Sequence, residues 1–219
     1  GYFEVKNTMV IKEAATVTVE YTGYFRGIKT FTAREGKSTF FRIKLMPKTI
    51  AGTIQAGSGG TVTLTNGLSI SFPSNAVKNA ATGLSYAGTV SVAAQWIDPT
   101  SSELNKIMPG DLRGINTAGY INGLATYGMA AVELTGSTGE LLQIADGKKA
   151  GISFPLPASI SSTAPATIPL WYFDETKGLW KEEGVATKTG DKYVGEVSHF
   201  SFWNCDVPFP TVNFKAQLV

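Results

Sequence analysis

The sequence has only one cysteine and one histidine among its 219 residues. A structural zinc site needs four Cys or His ligands and a disulfide needs two cysteines, so this chain alone can build neither. The two charge signs nearly cancel, since 19 Lys and Arg stand against 17 Asp and Glu. Without a basic excess, the composition argues against nucleic-acid binding. We therefore expect no cofactor, no metal site and no nucleic-acid partner.

A long apolar run is also missing. The longest uncharged stretch with apolar character, 150–170, is interrupted by four prolines and several Ser and Thr residues, which excludes a membrane-spanning helix there. No basic segment followed by an apolar one stands at the N-terminus, and Gly1 opens directly into strand-like sequence. We expect an internal fragment of a longer protein, with no membrane span in this fragment.

The sequence is rich in turn-forming residues and in alternating patterns. It contains 24 glycines and 10 prolines, and 43% of its residues are hydrophobic. Apolar residues alternate with polar ones over many short segments, as is typical of half-buried strands. The predicted strands are 16–21, 41–45, 61–65, 68–72, 88–96, 126–134, 151–154, 168–174, 179–183, 193–197 and 200–204. Their short spacing predicts an all-β fold of two consecutive antiparallel β-sandwich domains.

Turn signals refine this prediction. Asn66-Gly67 lies between two predicted strands and favours a hairpin with a type I′ turn, in which both central residues have positive φ. Only 73–79 and 101–106 are compatible with a helical turn. The glycine-rich segment Gly57-Ser58-Gly59-Gly60 lacks the Lys-Ser/Thr of a phosphate loop and is interpreted as part of a flexible linker. We expect domains at 1–48 and 59–206, a linker at 49–58, and at 207–219 the first strand of a following domain or a swapped strand.

The only imidazole stands in a sequence that favours self-cleavage. His199 precedes Phe200 and Ser201. An imidazole can accept the proton of Ser201 Oγ, and Oγ can attack the Phe200 carbonyl through a five-membered ring, which is an N→O acyl shift. Water would then hydrolyse the ester between Phe200 and Ser201. The alternative is that His199 is a packed or edge residue of an aromatic-rich strand.

The second predicted domain resembles a known family at both its start and its end. Its Gly59-Gly60 start, the alternating strands up to Phe72 and the following Pro-x-x-Ala turn resemble the opening of the ZU-type β-sandwich domain of netrin receptors, ankyrins and a death-domain adaptor. Near the other end, His199-Phe200-Ser201 matches a triplet at which the adaptor's domains cleave themselves. The resemblance implies His199 as base, Phe200 as carbonyl donor and Ser201 as nucleophile.

The N-terminal segment resembles a second family. Gly1–Val5, Ala15–Tyr21, Gly23-Tyr24-Phe25 and Phe40–Leu45 look like the later part of a carboxypeptidase-regulatory-like domain, a spacer without catalytic residues. The first strand of that domain is missing, and 211–219 looks like the first strand of another copy. We expect this strand to complete the first domain, within one chain or by swapping between chains.

Other candidate residues point to weaker alternatives. The aromatic residues Trp171, Tyr172, Trp180 and Trp203 suit either a sugar-stacking platform or a core, and their alternation favours the core. The acids Asp98, Glu103, Asp111 and Asp146 lie near predicted turns without a calcium-loop pattern. Cys205 is assigned no catalytic role, since the neighbouring Asp206 raises its thiol pKa.

These patterns and resemblances predict an extracytoplasmic structural module of a larger bacterial surface protein, at the cell surface or in the periplasm, with an outer-membrane anchor in the full-length protein. It is expected to cleave itself once, between Phe200 and Ser201. The alternative is a non-catalytic module that binds a surface glycan or protein. Its other expected partners are the neighbouring domains of the same polypeptide.

Overall fold

A computed structural model describes residues 1–6 and 8–211. Within these residues the chain forms fifteen strands and two helices of one turn each. The strands are β1 (Ala15–Val19), β2 (Gly27–Phe31), β3 (Ile50–Gln55), β4 (Gly60–Thr63), β5 (Ser69–Phe72), β6 (Val77–Asn79), β7 (Thr89–Ile97), β8 (Arg113–Ile115), β9 (Ile121–Thr135), β10 (Leu141–Ile144), β11 (Ala150–Pro155), β12 (Thr167–Asp174), β13 (Leu179–Thr189), β14 (Lys192–Val197) and β15 (Phe202–Pro210). The helices are α1 (Leu104–Ile107) and α2 (Ala158–Ser161). The predicted all-β class is confirmed.

The strands form one small and one large sheet. Strands β1 and β2 make a two-stranded antiparallel sheet. The large sheet has thirteen strands. Ten of them follow one another in the order β3-β7-β9-β15-β12-β13-β14-β11-β5-β4, and β6, β8 and β10 are attached beside this path. Its described pairs are antiparallel except β8 with β13. Strand β15 therefore lies in the interior of the sheet, between β9 and β12.

The main core lies on one face of the central strands. Side chains two residues apart point to the same face of a strand, and alternate residues of β7, β9 and β15 are buried in one apolar cluster. Side chains of β5, β11 and β14 belong to the same cluster, so these strands pack against β7, β9 and β15 as the opposite layer of the fold. The shared core residues of these strands include Val90, Val92, Ala130, Val132, Ile70, Ile152, Phe154, Tyr193 and Trp203.

The other face of the same central strands is also buried. Its side chains, such as Ile97, Met129 and Trp171, form a second cluster. Phe25 and Ile28, at the small β1–β2 sheet, pack into this cluster and leave only 5% and 3% of their surface exposed. The N-terminal region therefore covers one side of the large sheet, and strands β7, β9, β12 and β15 are buried on both faces.

The β4–β5 hairpin is present, but its predicted turn type is wrong. Asn66 is not among the described residues with positive φ; Gly67 has φ +94°. Gly67 N–H donates to Leu64 O at 2.9 Å and Leu64 N–H donates to Leu68 O at 2.8 Å. This is a three-residue loop in which a type I turn is followed by a glycine bulge. Only the second of the two expected residues needs glycine's freedom.

Two other local predictions are wrong. Residues 41–45 alternate in burial but form no ladder, and the side chains of Ile43 and Leu45 lie against Gly27 of β2. Residues 73–79 hold no helical turn and end in strand β6, which pairs with β10. The helical turn predicted at 101–106 is present as α1, shifted towards the C-terminus.

The segment predicted as a linker contains strand β3, which is antiparallel to β7 in the large sheet. Its glycines form a tight turn and not a flexible tether. Gly59 has φ +74°, its N–H donates to Gln55 O at 2.8 Å, and a Cβ there would collide with the Phe72 carbonyl oxygen. Glycine is required at position 59 because the two backbones approach each other too closely there for a side chain. Where one domain ends and the next begins stays a prediction.

At the C-terminal end, β15 continues past residue 206. Residues 207–210 pair with 122–125 of β9, so this part of the predicted extra strand belongs to the large sheet. The remainder of that predicted strand, 212–219, lies outside the described residues.

Candidate functional site

The predicted site residues lie in the short loop 198–201 between β14 and β15. These two strands are not neighbours, because β13 and β12 lie between them along the sheet. The loop therefore crosses from one layer of the sheet to the other. The side chain of Phe200 enters the main core, where it is 7% exposed and lies with its ring centroid 5.6 Å from that of Phe72.

The peptide group of Phe200 is bound by one side chain, that of Gln143 on β10. The Phe200 N–H donates to Gln143 Oε1 at 2.6 Å, and Gln143 Nε2 donates to the Phe200 carbonyl oxygen at 3.0 Å. Gln143 Oε1 also accepts the N–H of Ile144 at 3.0 Å. Both backbone polar atoms of Phe200, including the carbonyl of the bond predicted to break, are thus fixed by Gln143.

His199 lies in an aromatic setting at the edge of the core. Its ring centroid is 4.7 Å from that of Tyr172, with the rings edge to face, and 5.0 Å from that of Trp203. The Trp203 indole N–H donates to the His199 carbonyl oxygen at 2.8 Å. These contacts fix both the backbone and the ring of His199.

Burial lowers the pKa of His199, and the nearby Glu183 carboxylate opposes this effect in part. The distance from His199 Nε2 to Glu183 Oε2 is 3.9 Å, and Glu183 Oε1 accepts a hydrogen bond from Ser198 Oγ at 2.5 Å. A lowered pKa keeps the imidazole neutral at neutral pH. The neutral form is the one that can accept a proton as a general base.

Ser201 is partly buried, and its hydroxyl is hydrogen-bonded to the backbone. Ser201 Oγ donates to the Phe202 carbonyl oxygen at 3.2 Å, and no hydrogen bond among the described residues joins it to His199. The Ser201 carbonyl oxygen accepts the N–H of Val132 at 3.2 Å. The structure therefore has the three predicted residues in one loop, without a hydrogen bond among the described residues between the predicted nucleophile and the predicted base.

A groove of about 650 Å³ is lined in part by the residues on both sides of the Phe200–Ser201 bond. Its lining includes Gln143 and the segment 20–26 as well. Two ion-pair groups border it: Lys48 with Glu133 at 2.8 Å, and Arg26 with two glutamates, Glu20 and Glu175. The groove therefore lies beside the residues on both sides of the Phe200–Ser201 bond.

Sequence reasoning missed Gln143 and Glu183. Gln143 is 57 residues from Phe200 in the chain, and its short strand β10 has no clear alternation that would predict which side chains face the loop. Glu183 lies in a predicted strand, yet the pairing that brings it to His199 follows from the β13–β14 and β12–β15 registers. Neither residue belongs to a local motif.

The remaining candidates have structural explanations. Trp171, Trp180 and Trp203 are fully buried, so they are core residues and not a sugar-stacking platform. Tyr172 is half-buried against His199. Burial raises the pKa of the Cys205 thiol well above its usual range, which keeps it protonated.

The four acidic residues near turns make contacts within the protein. Asp98 Oδ1 accepts the N–H of Thr100 at 2.8 Å, and the other three carboxylates pair with basic side chains. These pairs are Glu103 with Lys106, Asp111 with Arg113, and Asp146 with Lys78. In the described part of the chain, three or more His, Cys, Asp or Glu side chains nowhere gather in a group able to hold a metal ion.

The described residues contain no helix long and apolar enough to cross a membrane.

No family model matches the chain, and no solved structure matches it. Two curated proteins do. Cartilage intermediate layer protein 2 of Mus musculus is 33% identical over 111 residues, which is 49% of this chain and 9% of that protein. The protein of the same name from Homo sapiens is 29% identical over 121 residues, which is 54% of this chain and 10% of that protein. The chain is thus similar to a small part of a much longer protein, since the match spans 9% and 10% of the length of these two relatives.

Proposed function

We propose that this chain is an extracytoplasmic structural module of a larger surface protein and that it cleaves itself once, between Phe200 and Ser201. The first part is supported by the similarity to two proteins named for a layer of cartilage, which is an extracellular material. The all-β fold, with its strands buried on both faces, suits a load-bearing or spacer role. The bacterial origin and the outer-membrane anchor remain predictions, since both curated relatives are animal proteins.

The self-cleavage step conserves atoms and charge. His199 takes the proton of Ser201 Oγ while Oγ bonds to the Phe200 carbonyl carbon. The bond from that carbon to the Ser201 nitrogen then breaks, and the nitrogen leaves as an amine with the proton that the imidazolium returns. The product is an ester between Phe200 and Ser201. One water molecule hydrolyses it to a Phe200 carboxylate and a free Ser201 hydroxyl, and the proton released is taken up by the free Ser201 amine.

The observation that carries the proposal is the anchoring of the loop around this bond. Gln143 binds both backbone polar atoms of Phe200, the Phe200 ring is buried against Phe72, and the His199 ring is packed against Tyr172 and Trp203. Holding the reacting groups close together supplies much of the rate of an intramolecular reaction. The reaction requires Ser201 Oγ to leave its hydrogen bond with the Phe202 carbonyl oxygen, and rotation between staggered χ1 positions is available to a serine side chain.

The position of β15 predicts what happens after cleavage. The smaller product would begin at Ser201 and contain all of β15, which pairs with β9 on one side and β12 on the other. Because β15 is an interior strand with buried side chains, we expect the two pieces to stay associated until the protein is denatured. Cleavage would then change the covalent chain without releasing a fragment.

The intact mass of the purified, denatured protein tests the proposal. We expect two species whose masses sum to the full chain plus one water, the smaller beginning at Ser201. The same protein examined without denaturant by size-exclusion chromatography should elute as one particle. A single full-length mass would overturn self-cleavage and would favour the non-catalytic adhesive module instead.

Substitutions identify the nucleophile. Ser201→Ala should abolish cleavage, because no oxygen remains to attack the Phe200 carbonyl. Ser201→Cys should retain some cleavage through the corresponding thioester. The matched control is Ser198→Ala, which removes a hydroxyl from the same loop that contacts Glu183 and not the reacting carbonyl. Cleavage that persists in Ser201→Ala would exclude the acyl shift.

A further inference from the structure

The amide of Gln143 has one defined orientation. Two backbone N–H groups, those of Phe200 and Ile144, point at the same atom of this side chain, at 2.6 Å and 3.0 Å. An N–H group can donate only to an acceptor, so that atom must be Oε1. The Nε2 group is therefore directed at the Phe200 carbonyl oxygen, 3.0 Å away.

The Phe200 carbonyl oxygen is the atom on which charge develops during the acyl shift. When Ser201 Oγ adds to the carbonyl carbon, this oxygen becomes a tetrahedral oxyanion before the bond to Ser201 breaks. A donor already placed at about 3 Å from such an oxygen stabilises the transition state more than the ground state, since hydrogen bonds to a charged acceptor are stronger. Gln143 Nε2 is in that place.

We infer that Gln143 is a catalytic residue of the proposed self-cleavage, the oxyanion donor that completes the set formed by His199 and Ser201. This inference rests on the proposed function, because it assigns a role within the same reaction. It divides the work among three side chains: His199 moves the proton, Ser201 attacks, and Gln143 stabilises the oxygen. Gln143 lies on β10, whose backbone pairs with β6 and β9, so the donor is carried by a fixed strand.

Gln143 also has a structural role, since its amide pairs with Phe200 in the way that a neighbouring strand would. The two roles use different atoms. The structural contact with the Phe200 N–H needs the acceptor Oε1, whereas oxyanion stabilisation needs the donor Nε2. Gln143→Glu separates them, because an ionised carboxylate keeps the acceptor and loses the donor. Gln143→Met has a similar length, carries no charge and loses both.

The test measures cleavage rates. Each variant is made by cell-free translation with a short pulse of labelled amino acid, and the uncut fraction is followed on denaturing gels. Gln143→Glu and Gln143→Met should each slow cleavage by about 10²–10³-fold, the usual effect of removing one oxyanion donor. The matched control is Gln95→Glu, since Gln95 Nε2 also donates to a backbone carbonyl, that of Pro47 at 3.3 Å, away from the loop. Its rate should equal that of the parent.

Folding is checked in the Ser201→Ala background, where no variant can be cut. There both Gln143 variants should still melt cooperatively, Gln143→Glu close to Ser201→Ala alone and Gln143→Met at a lower temperature, because only the methionine leaves the N–H groups of Phe200 and Ile144 without their acceptor. Slower cleavage in Gln143→Glu then reflects the lost donor. A parent that cleaves, together with Gln143 variants that cleave within about threefold of it, would overturn the role of Gln143 and leave self-cleavage standing. A parent that never cleaves would overturn self-cleavage itself, and the role of Gln143 with it.

Discussion

On the carbonyl side of the Phe200–Ser201 bond the chain is held at every group, by Gln143 at both backbone polar atoms and by Phe72 at the ring. On the serine side the hydroxyl is bonded to the next carbonyl along the chain, that of Phe202, and borders a groove. The His199 ring is fixed among aromatic residues, and among the described residues no hydrogen bond joins it to Ser201 Oγ. The difference teaches that, in the proposed self-cleavage, packing holds the carbonyl and the imidazole in place, and the serine hydroxyl is the group that has to change its hydrogen bond.

The largest expected effect comes from removing the base. His199→Gln keeps a side chain of similar length against Tyr172 but has no group that accepts a proton at neutral pH. Cleavage should slow by about 10²–10⁴-fold, the usual contribution of a general base. Rates from the pulse-labelled protein measure this loss.

The stability of His199→Gln decides what such a loss means. The ring is only partly buried, so we expect the free energy of unfolding, measured in the Ser201→Ala background by urea titration, to change by no more than about 1 kcal/mol. An unchanged cleavage rate in His199→Gln would contradict the assignment of His199 as base and would leave this side chain with packing alone.

The second prediction concerns the carbonyl side. Phe72→Ala removes the ring against which Phe200 packs, and both rings are buried in the main core. Deleting a buried phenylalanine ring costs about 3–5 kcal/mol of unfolding free energy. We also expect slower cleavage, because Phe200 loses the contact that holds it under Gln143. Urea titration in the Ser201→Ala background measures the first effect and pulse-labelling the second.

The matched control for Phe72→Ala is Phe40→Ala, since Phe40 is 74% exposed. Its stability should change by less than about 0.5 kcal/mol, as is usual for surface positions. Cleavage at the parental rate in a clearly destabilised Phe72→Ala variant would contradict the view that core packing presents the carbonyl.

The contrast between the two sides also separates what the sequence predicts from what it does not. Period-two alternation predicted the central strands, because each residue's burial on one face depends on its own polarity and that of its near neighbours. The triplet 199–201 could also be recognised from the sequence, because its three residues are adjacent in the chain. Alternation does not predict which strands pair. The segment 41–45 shows this, since it alternates in burial without joining a sheet.

The unpredicted part of the site consists of long-range contacts. Gln143 meets Phe200 only because β10 is attached beside β9 and the loop crosses between layers. Glu183 meets His199 across the β12–β13–β14 pairings. Sequence patterns locate such residues in strands but do not predict which distant backbone their side chains meet, since the register is set by the packing of whole sheets.

The smallest expected effect is on the pH dependence of cleavage, which depends on the pKa of His199. Cleavage should be independent of pH where His199 is neutral and should slow as pH falls through its pKa, which burial holds below the ordinary value. Glu183 opposes that lowering; the other side chains against the ring are the uncharged Tyr172 and Trp203, with Lys181 Nζ 5.7 Å from the Tyr172 ring centroid. Glu183→Gln should therefore move the acid limb to still lower pH.

The size of this shift follows from the geometry of the pair. The carboxylate is 3.9 Å from His199 Nε2 and its side chain is 42% exposed, and exposed ion pairs contribute at most about 1 kcal/mol, so the limb should move by less than about one pH unit. Cleavage rates between about pH 5 and pH 8 measure it. Glu196→Gln is the control, because Glu196 pairs with Lys149 and not with His199. A limb that moves to higher pH in Glu183→Gln would show that the glutamate does not act on His199 by attraction.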